Sequence, residues 1–166
     1  MRIAFDVSPL SHALLGIGGY MRGALSGLVE AAGGEHESVA FAPTSLRGPR
    51  RIREALVGID VEIRTWPLPA SHAVRTAWSR AGHPAAERLV GSFDVLHFSD
   101  WMYPPQRAGV RTTTIYDLVP LHFPEWVTPR TLAMHSRKYH EAAETCDVVF
   151  AISEFTARDV EETGQL

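Results

Sequence analysis

The chain has 166 residues, of which 45% are hydrophobic and 21% charged, with a formal net charge of −3. That length fits one domain burying roughly two thirds of its unfolded surface, and the weak negative charge supplies no basic field for nucleic acid. A single cysteine, Cys146, excludes an internal disulfide and any cysteine-built zinc site.

The chain opens directly on a strand pattern, MRIAFDV, with no basic leader, apolar core segment or membrane-length span, so a cytoplasmic location is expected. Residues 2–7 read as a buried strand, followed by a loop over 8–18 containing Pro9, Gly16 and Gly18. Tyr20, Ala24, Leu28 and Ala31 recur at helical spacing until Gly33 and Gly34 stop the helix. Residues 38–42 form a short second strand closed by Pro43. Residues 44–53, with Arg47, Arg50, Arg51 and Arg53 around Gly48 and Pro49, read as a surface loop leading into a short helix. A third strand, 60–65, ends at Trp66-Pro67-Leu68-Pro69. Residues 71–90 are helical with a break near Gly82-His83-Pro84, because proline disfavours helix in the residue before it. Residues 94–98 make a fourth strand, continuously apolar as a strand covered on both faces should be, and 111–115 a fifth.

After the fifth strand comes an irregular segment holding Tyr116, Asp117, His122, Glu125 and Trp126 around Pro120 and Pro124. Thr128 then caps a long helix with Pro129 at its first position. Leu132, His135, Tyr139, Ala142 and Cys146 form its inner stripe, which makes Cys146 a buried thiol. The last strand spans 147–152, and Ser153 caps a final helix with Glu154 in its first turn. Alternating strands and helices predict an α/β domain: a doubly wound, Rossmann-like parallel sheet of roughly six strands with helices on both faces.

Ligands in such sheets bind outside the carboxyl ends of strands, so the polar and aromatic groups collected after Ile115 are the first candidate for an active site. Gly16-Ile17-Gly18-Gly19, ahead of the first helix, lets backbone amides approach an anion at a helix amino terminus. An NAD site is disfavoured. The loop is long rather than tight, Met21 stands where a third fingerprint glycine belongs, and the second strand ends in Ala42-Pro43 with no acid for a ribose. His97 lies near the end of the fourth strand, where a lone histidine beside apolar residues is ordinarily a hydrogen-bonded core group; Trp101 and Tyr103 offer flat faces to a sugar ring, and Asp100 accepts hydrogen bonds from hydroxyls, although plain packing accounts for Trp101 equally well. His97, Asp100, Asp117 and His122 lack any metal-ligand spacing, and capping explains Ser153 and Glu154.

Taken together and in this order, GIGGY at 16–20, DVLHFSDW at 94–101, TTTIYDLVPLHFPEW at 112–126 and AISEFTARD at 151–159 resemble the amino-terminal half of GT-B, retaining glycosyltransferases of the GT4 type. The resemblance implies that residues 1–166 form the acceptor-side domain, one half of a GT-B fold, inactive alone. The missing carboxyl-terminal domain would hold most of a nucleotide-sugar donor. The acceptor would be a saccharide, lipid-linked or natural-product hydroxyl, with no cofactor, metal or nucleic acid, and peripheral membrane association is open to the full enzyme. By the same resemblance Gly18 and Gly19 touch the donor diphosphate, and His97, Asp100, Trp101 and His122 shape the acceptor site. Where the family often reads His-Asp this chain reads Tyr116-Asp117, as do relatives resembling bacterial mannosyl- and rhamnosyltransferases. A phenol with a pKa of about 10 is a poor base at neutral pH but a good hydroxyl partner, which leaves Asp117 as the charged catalytic candidate. The rival reading is a stand-alone, non-catalytic Rossmann-like binding module.

Overall fold

In the computed structural model, which describes residues 1–14, 16–99 and 102–164, strands and helices alternate as predicted except between the strands Val95–Phe98 and Val110–Ile115, where the described residues hold no helix. The chain divides into two compact units, Met1–Gly109 and Val110–Leu166. The first carries β1 (Arg2–Asp6), β2 (Glu37–Thr44), β3 (Glu62–Pro67) and β4 (Val95–Phe98); the second carries β5 (Val110–Ile115) and β6 (Val148–Ala151). Strand order in the six-stranded sheet is β3-β2-β1-β4-β5-β6, and every described neighbouring pair is parallel. This is an α/β, doubly wound, Rossmann-like sheet. Within the first unit the winding reverses between β1 and β4, which makes their carboxyl ends a natural ligand edge.

Successive side chains of a strand point to opposite faces, so β1 and β2 feed two cores. Ala4, Val39, Phe41 and Leu96 meet Ala86, Val90 and Phe93 on one face. Phe5, Val7, Ala40 and Ala42 meet Met21, Leu25, Ile52 and Leu56 on the other. The latter side is covered by α1 (Ile17–Ala32) and α2 (Gly48–Ala55), the former by α3 (Ser71–Ala81) and α4 (Glu87–Val90) through Trp78, Ala86 and Val90. The inner face of α1 is centred on Met21 and Leu25, both fully buried, with Tyr20, Ala24 and Leu28 at its margin and Ala31 exposed. The predicted stripe was therefore one position out of phase. Gly33, at φ 53°, ends α1 in the left-handed conformation.

β2 runs through Pro43 instead of stopping before it. Phe41 accepts the Val7 N–H at 2.9 Å, so Pro43, two residues on, points its nitrogen to the same side. Pairing with β1 has already ended there, at Asp6 opposite Phe41, and the missing N–H breaks no ladder bond. β3 is likewise longer than predicted. Trp66 and Pro67 pair with Pro43 and Thr44, and β3 is an edge strand where proline is tolerated. Helix also starts earlier than the loop predicted over 44–53, because Gly48 itself opens α2 against Thr44. Between α3 and α4, Gly82 at φ 70° and a cis His83–Pro84 bond form the expected break.

In the second unit β5 and β6 run in register from Thr112 opposite Val148 to Ile115 opposite Ala151. The stretch predicted as irregular contains α5 (Val119–His122) and a 3-10 turn, Pro124–Trp126. Each holds its proline in the first turn, where the absent N–H costs nothing. α6 (Pro129–Thr145) is capped by Thr128, whose hydroxyl accepts the Thr131 N–H at 3.2 Å. α7 (Glu154–Thr163) is capped by Ser153 through Thr156 N–H at 3.1 Å. Ile115, Leu118, Tyr139 and Ala142 form the core of this unit, with half-buried Cys146 against it. No helix among the described residues is long and apolar enough to cross a membrane.

Candidate functional site

After β1 the chain turns through a 3-10 helix, Ser8–Ser11, and enters α1 at Gly16, whose φ of 51° and ψ of −115° suit glycine. No side chain caps α1 and its first turn holds no acid. The first amides of a helix have no intrahelical acceptor and carry its positive end, so this entrance favours an anion. Gly18 is buried; a Cβ there would lie 3.6 Å from the Ala13 carbonyl oxygen and 3.9 Å from Leu10 Cδ2. Gly19 has nothing within 4 Å of the same point, so the two glycines differ. Gly18 seats the helix, and Gly19 leaves its backbone open.

Gly18 also lines a cavity of about 300 Å³ with Ser8, Ser11, Thr44, Ser71 and Arg75. Behind it lies Asp6, 1% exposed, accepting from the Ser8 N–H at 2.9 Å and from the Ser8 hydroxyl. Arg75 Nη2 stands 3.5 Å from Asp6 Oδ2, and Arg75 is itself 9% exposed. This buried charged group was missed from sequence. An aspartate closing an apolar strand, just before Ser8-Pro9, was the one available signal.

His97 lies opposite Phe5 in the sheet register, with ring centroids 4.5 Å apart. Its Nε2 is 3.1 Å from Ser99 Oγ, and only 7% of the residue is exposed. Asp100 and Trp101 lie outside the described residues. Tyr103, expected to offer a face to a sugar, is 4% exposed and meets Phe98 edge-on, so its ring serves the core.

In the second unit Tyr116 and Asp117 follow the end of β5. Asp117 is exposed, and its Oδ1 accepts the Val119 N–H at 3.1 Å, which closes the turn into α5. Its backbone carbonyl accepts the Tyr139 hydroxyl at 2.9 Å. His135 Nδ1 is 3.1 Å from the same hydroxyl, whose proton is committed to Asp117, so His135 donates from Nδ1. Burial pushes the Tyr139 hydroxyl well above the usual tyrosine range, and the charge of Asp117 adds to it. Burial also holds His135 below the ordinary histidine value; Lys138 lowers it further and Asp117 partly offsets both.

Tyr116 is half-buried, with Lys138 Nζ 5.2 Å from its ring centroid. Its carbonyl accepts the Thr156 hydroxyl at 3.2 Å, and Lys138, 5% exposed, donates to the Thr114 carbonyl at 2.9 Å. α6 and α7 thus each hold the strand end by a side-chain hydrogen bond. His122 turns to α7, its Nε2 2.6 Å from Asp159 Oδ1. Beside it Phe123 and Trp126 stack at 4.2 Å and 12°, 40% and 68% exposed.

Gly18, Gly19 and His97 belong to the first unit, and Tyr116, Asp117 and His122 to the second. Among the described residues no group of three or more His, Cys, Asp or Glu side chains is arranged to hold a metal ion. Comparison with protein-family models, curated proteins and solved structures gave no match.

Proposed function

We propose that this chain is the acceptor-side domain of a retaining glycosyltransferase of GT-B architecture, working with a donor-binding domain to move a sugar from a nucleotide to an acceptor hydroxyl. The observation that carries the reading is the entrance to α1. An uncapped, acid-free helix start with Gly19 open beside it suits a diphosphate approached from outside the sheet edge. Asp117 adds an exposed carboxylate immediately beyond β5.

In this reading the acceptor oxygen bonds to the anomeric carbon on the face from which the nucleoside diphosphate departs. The departing phosphate oxygen takes the acceptor proton. Asp117 orients the acceptor hydroxyl and offsets positive charge developing on the sugar. A strong protein nucleophile is then unnecessary.

The test is transfer by the natural protein carrying this chain, supplied with uridine, guanosine and thymidine diphosphate sugars and candidate acceptors. Expected are release of nucleoside diphosphate and a product with retained anomeric configuration. Asp117→Asn keeps an oxygen for the Val119 turn bond but removes the charge, and should lower kcat about 100-fold with little change in melting temperature. Absence of both transfer and nucleoside diphosphate release, or full turnover in Asp117→Asn, would overturn the reading or this assignment respectively.

A further inference from the structure

Val74, Ala77, Trp78 and Ala81 fall at i, i+3, i+4 and i+7 along α3 and make an apolar stripe. Such a stripe ordinarily closes onto a core, yet the only described α3 residue that is buried is Arg75. The stripe instead lines a groove of about 440 Å³ together with Pro43 and Trp66, and Val74 in its wall is 42% exposed. The size falls within the roughly 300–1,000 Å³ of small-molecule sites. Pro43 and Trp66 are register partners at the carboxyl ends of β2 and β3, the ligand edge of the sheet.

The walls are fixed and apolar. Trp66 and Trp78 back onto the buried Val39 and Phe41 cluster. Trp78 donates its Nε1–H to the Pro84 carbonyl at 2.6 Å, so its one polar group is satisfied within the protein and the indole presents hydrocarbon. α3 is entered through Ala70 at φ 48° and ψ 42°, a left-handed conformation that is strained for a residue with a side chain. Arg75 lines both this groove and the cavity beside Gly18. That cavity differs in chemistry, with hydroxyls from Ser8, Ser11, Thr44, Ser45 and Ser71 in its lining.

We propose that groove and cavity together bind one amphiphile: an alkyl chain or aromatic ring along Trp66 and Trp78, joined past Arg75 to a hydroxylated head in the cavity. Its identification as the sugar acceptor rests on the glycosyltransferase reading, and it selects a hydrophobic glycoside over a free, soluble saccharide.

The probe is octyl β-glucoside below its micelle concentration, titrated calorimetrically into the chain. Saturable binding is expected, with glucose alone and 1-octanol each weaker. Val74→Gln places an amide in the exposed wall, and Ala77→Phe fills the groove from an exposed position; each should weaken the glucoside at least about tenfold with an unchanged circular dichroism spectrum. Equal binding of glucose overturns the apolar subsite, equal binding of 1-octanol overturns the hydroxylated head, and unchanged affinity in both folded variants overturns the location. Saturable glucoside binding without any sugar transfer by the natural protein would leave the groove standing and remove the enzyme reading. Full-rate transfer in Val74→Gln would do the reverse.

Discussion

Tyr139 reaches from α6 to donate its hydroxyl to the Asp117 carbonyl at 2.9 Å, so the backbone of the candidate catalytic residue is held by a helix that follows it in the chain. The same hydroxyl accepts from His135. A chain of two hydrogen bonds therefore runs from the helix interior to the end of β5, and the exposed carboxylate of Asp117 projects from a fixed peptide.

Tyr139→Phe tests that support. The ring keeps its packing against Ile115 and Ala142, while the Asp117 carbonyl and His135 Nδ1 lose a partner. Loss of about 1–2 kcal/mol of stability is expected, as for a part-buried hydrogen bond, read from urea denaturation. An unchanged midpoint would mean that water replaces the hydroxyl at no cost.

His135 makes stability depend on pH. Its folded value lies below the ordinary 6.5, because burial and then Lys138 oppose the charge, with Asp117 acting against them. The unfolded chain therefore holds a proton that the folded chain does not between those two values. The contribution is absent above the ordinary value; stability falls as pH drops through it and levels off below the folded value. Urea midpoints at about pH 7.5 and about pH 5.5 should separate less in His135→Gln than in the parent.

Gly48 and Gly19 predict opposite outcomes for the same substitution. A Cβ at Gly48 would lie 2.1 Å from Thr44 Oγ1 and 2.8 Å from Thr44 Cβ, against a side chain that is buried. Gly48→Ala should cost about 1–3 kcal/mol through overpacking. Gly19→Ala meets nothing within 4 Å and gains helix propensity, so stability should hold or rise slightly. Under the proposed glycosyltransferase reading, the same methyl obstructs the phosphate approach and should raise the donor KM.

Local rules were legible and tertiary ones were not. Thr128 and Ser153 announce their helices because a cap needs only the next three residues, and both caps are present. Pro43 misled because the cost of a missing N–H depends on which neighbour that position faces, and only the β1 register decides it. The phase of α1 slipped because Met21 and Tyr20 are both plausible inward residues until the sheet is placed beneath them. At the candidate sites, Gly18 and Gly19 stand out by spacing alone. The Asp6 and Arg75 pair does not, since its members are 69 residues apart and Arg75 looks like any helical arginine. Lys138 was invisible as a buried group for the same reason, because its acceptor, the Thr114 carbonyl, lies on β5.

Cys146 provides a probe of the second unit that requires no substitution. It is the chain's only cysteine, it sits half-buried against the core at the end of α6, and burial raises its thiol above the ordinary value despite an opposing pull from Arg111. Since the thiolate is the reactive form, both its smaller population and its limited exposure slow attack. Iodoacetamide at neutral pH should label the folded chain at least about tenfold more slowly than the chain in urea. Because α6 also carries Tyr139 and Lys138, loosening of that helix should appear first as faster labelling. Tyr139→Phe should therefore label faster than the parent before any change in far-ultraviolet circular dichroism. Equal rates would mean that the end of α6 opens independently of the hydrogen bond to Asp117.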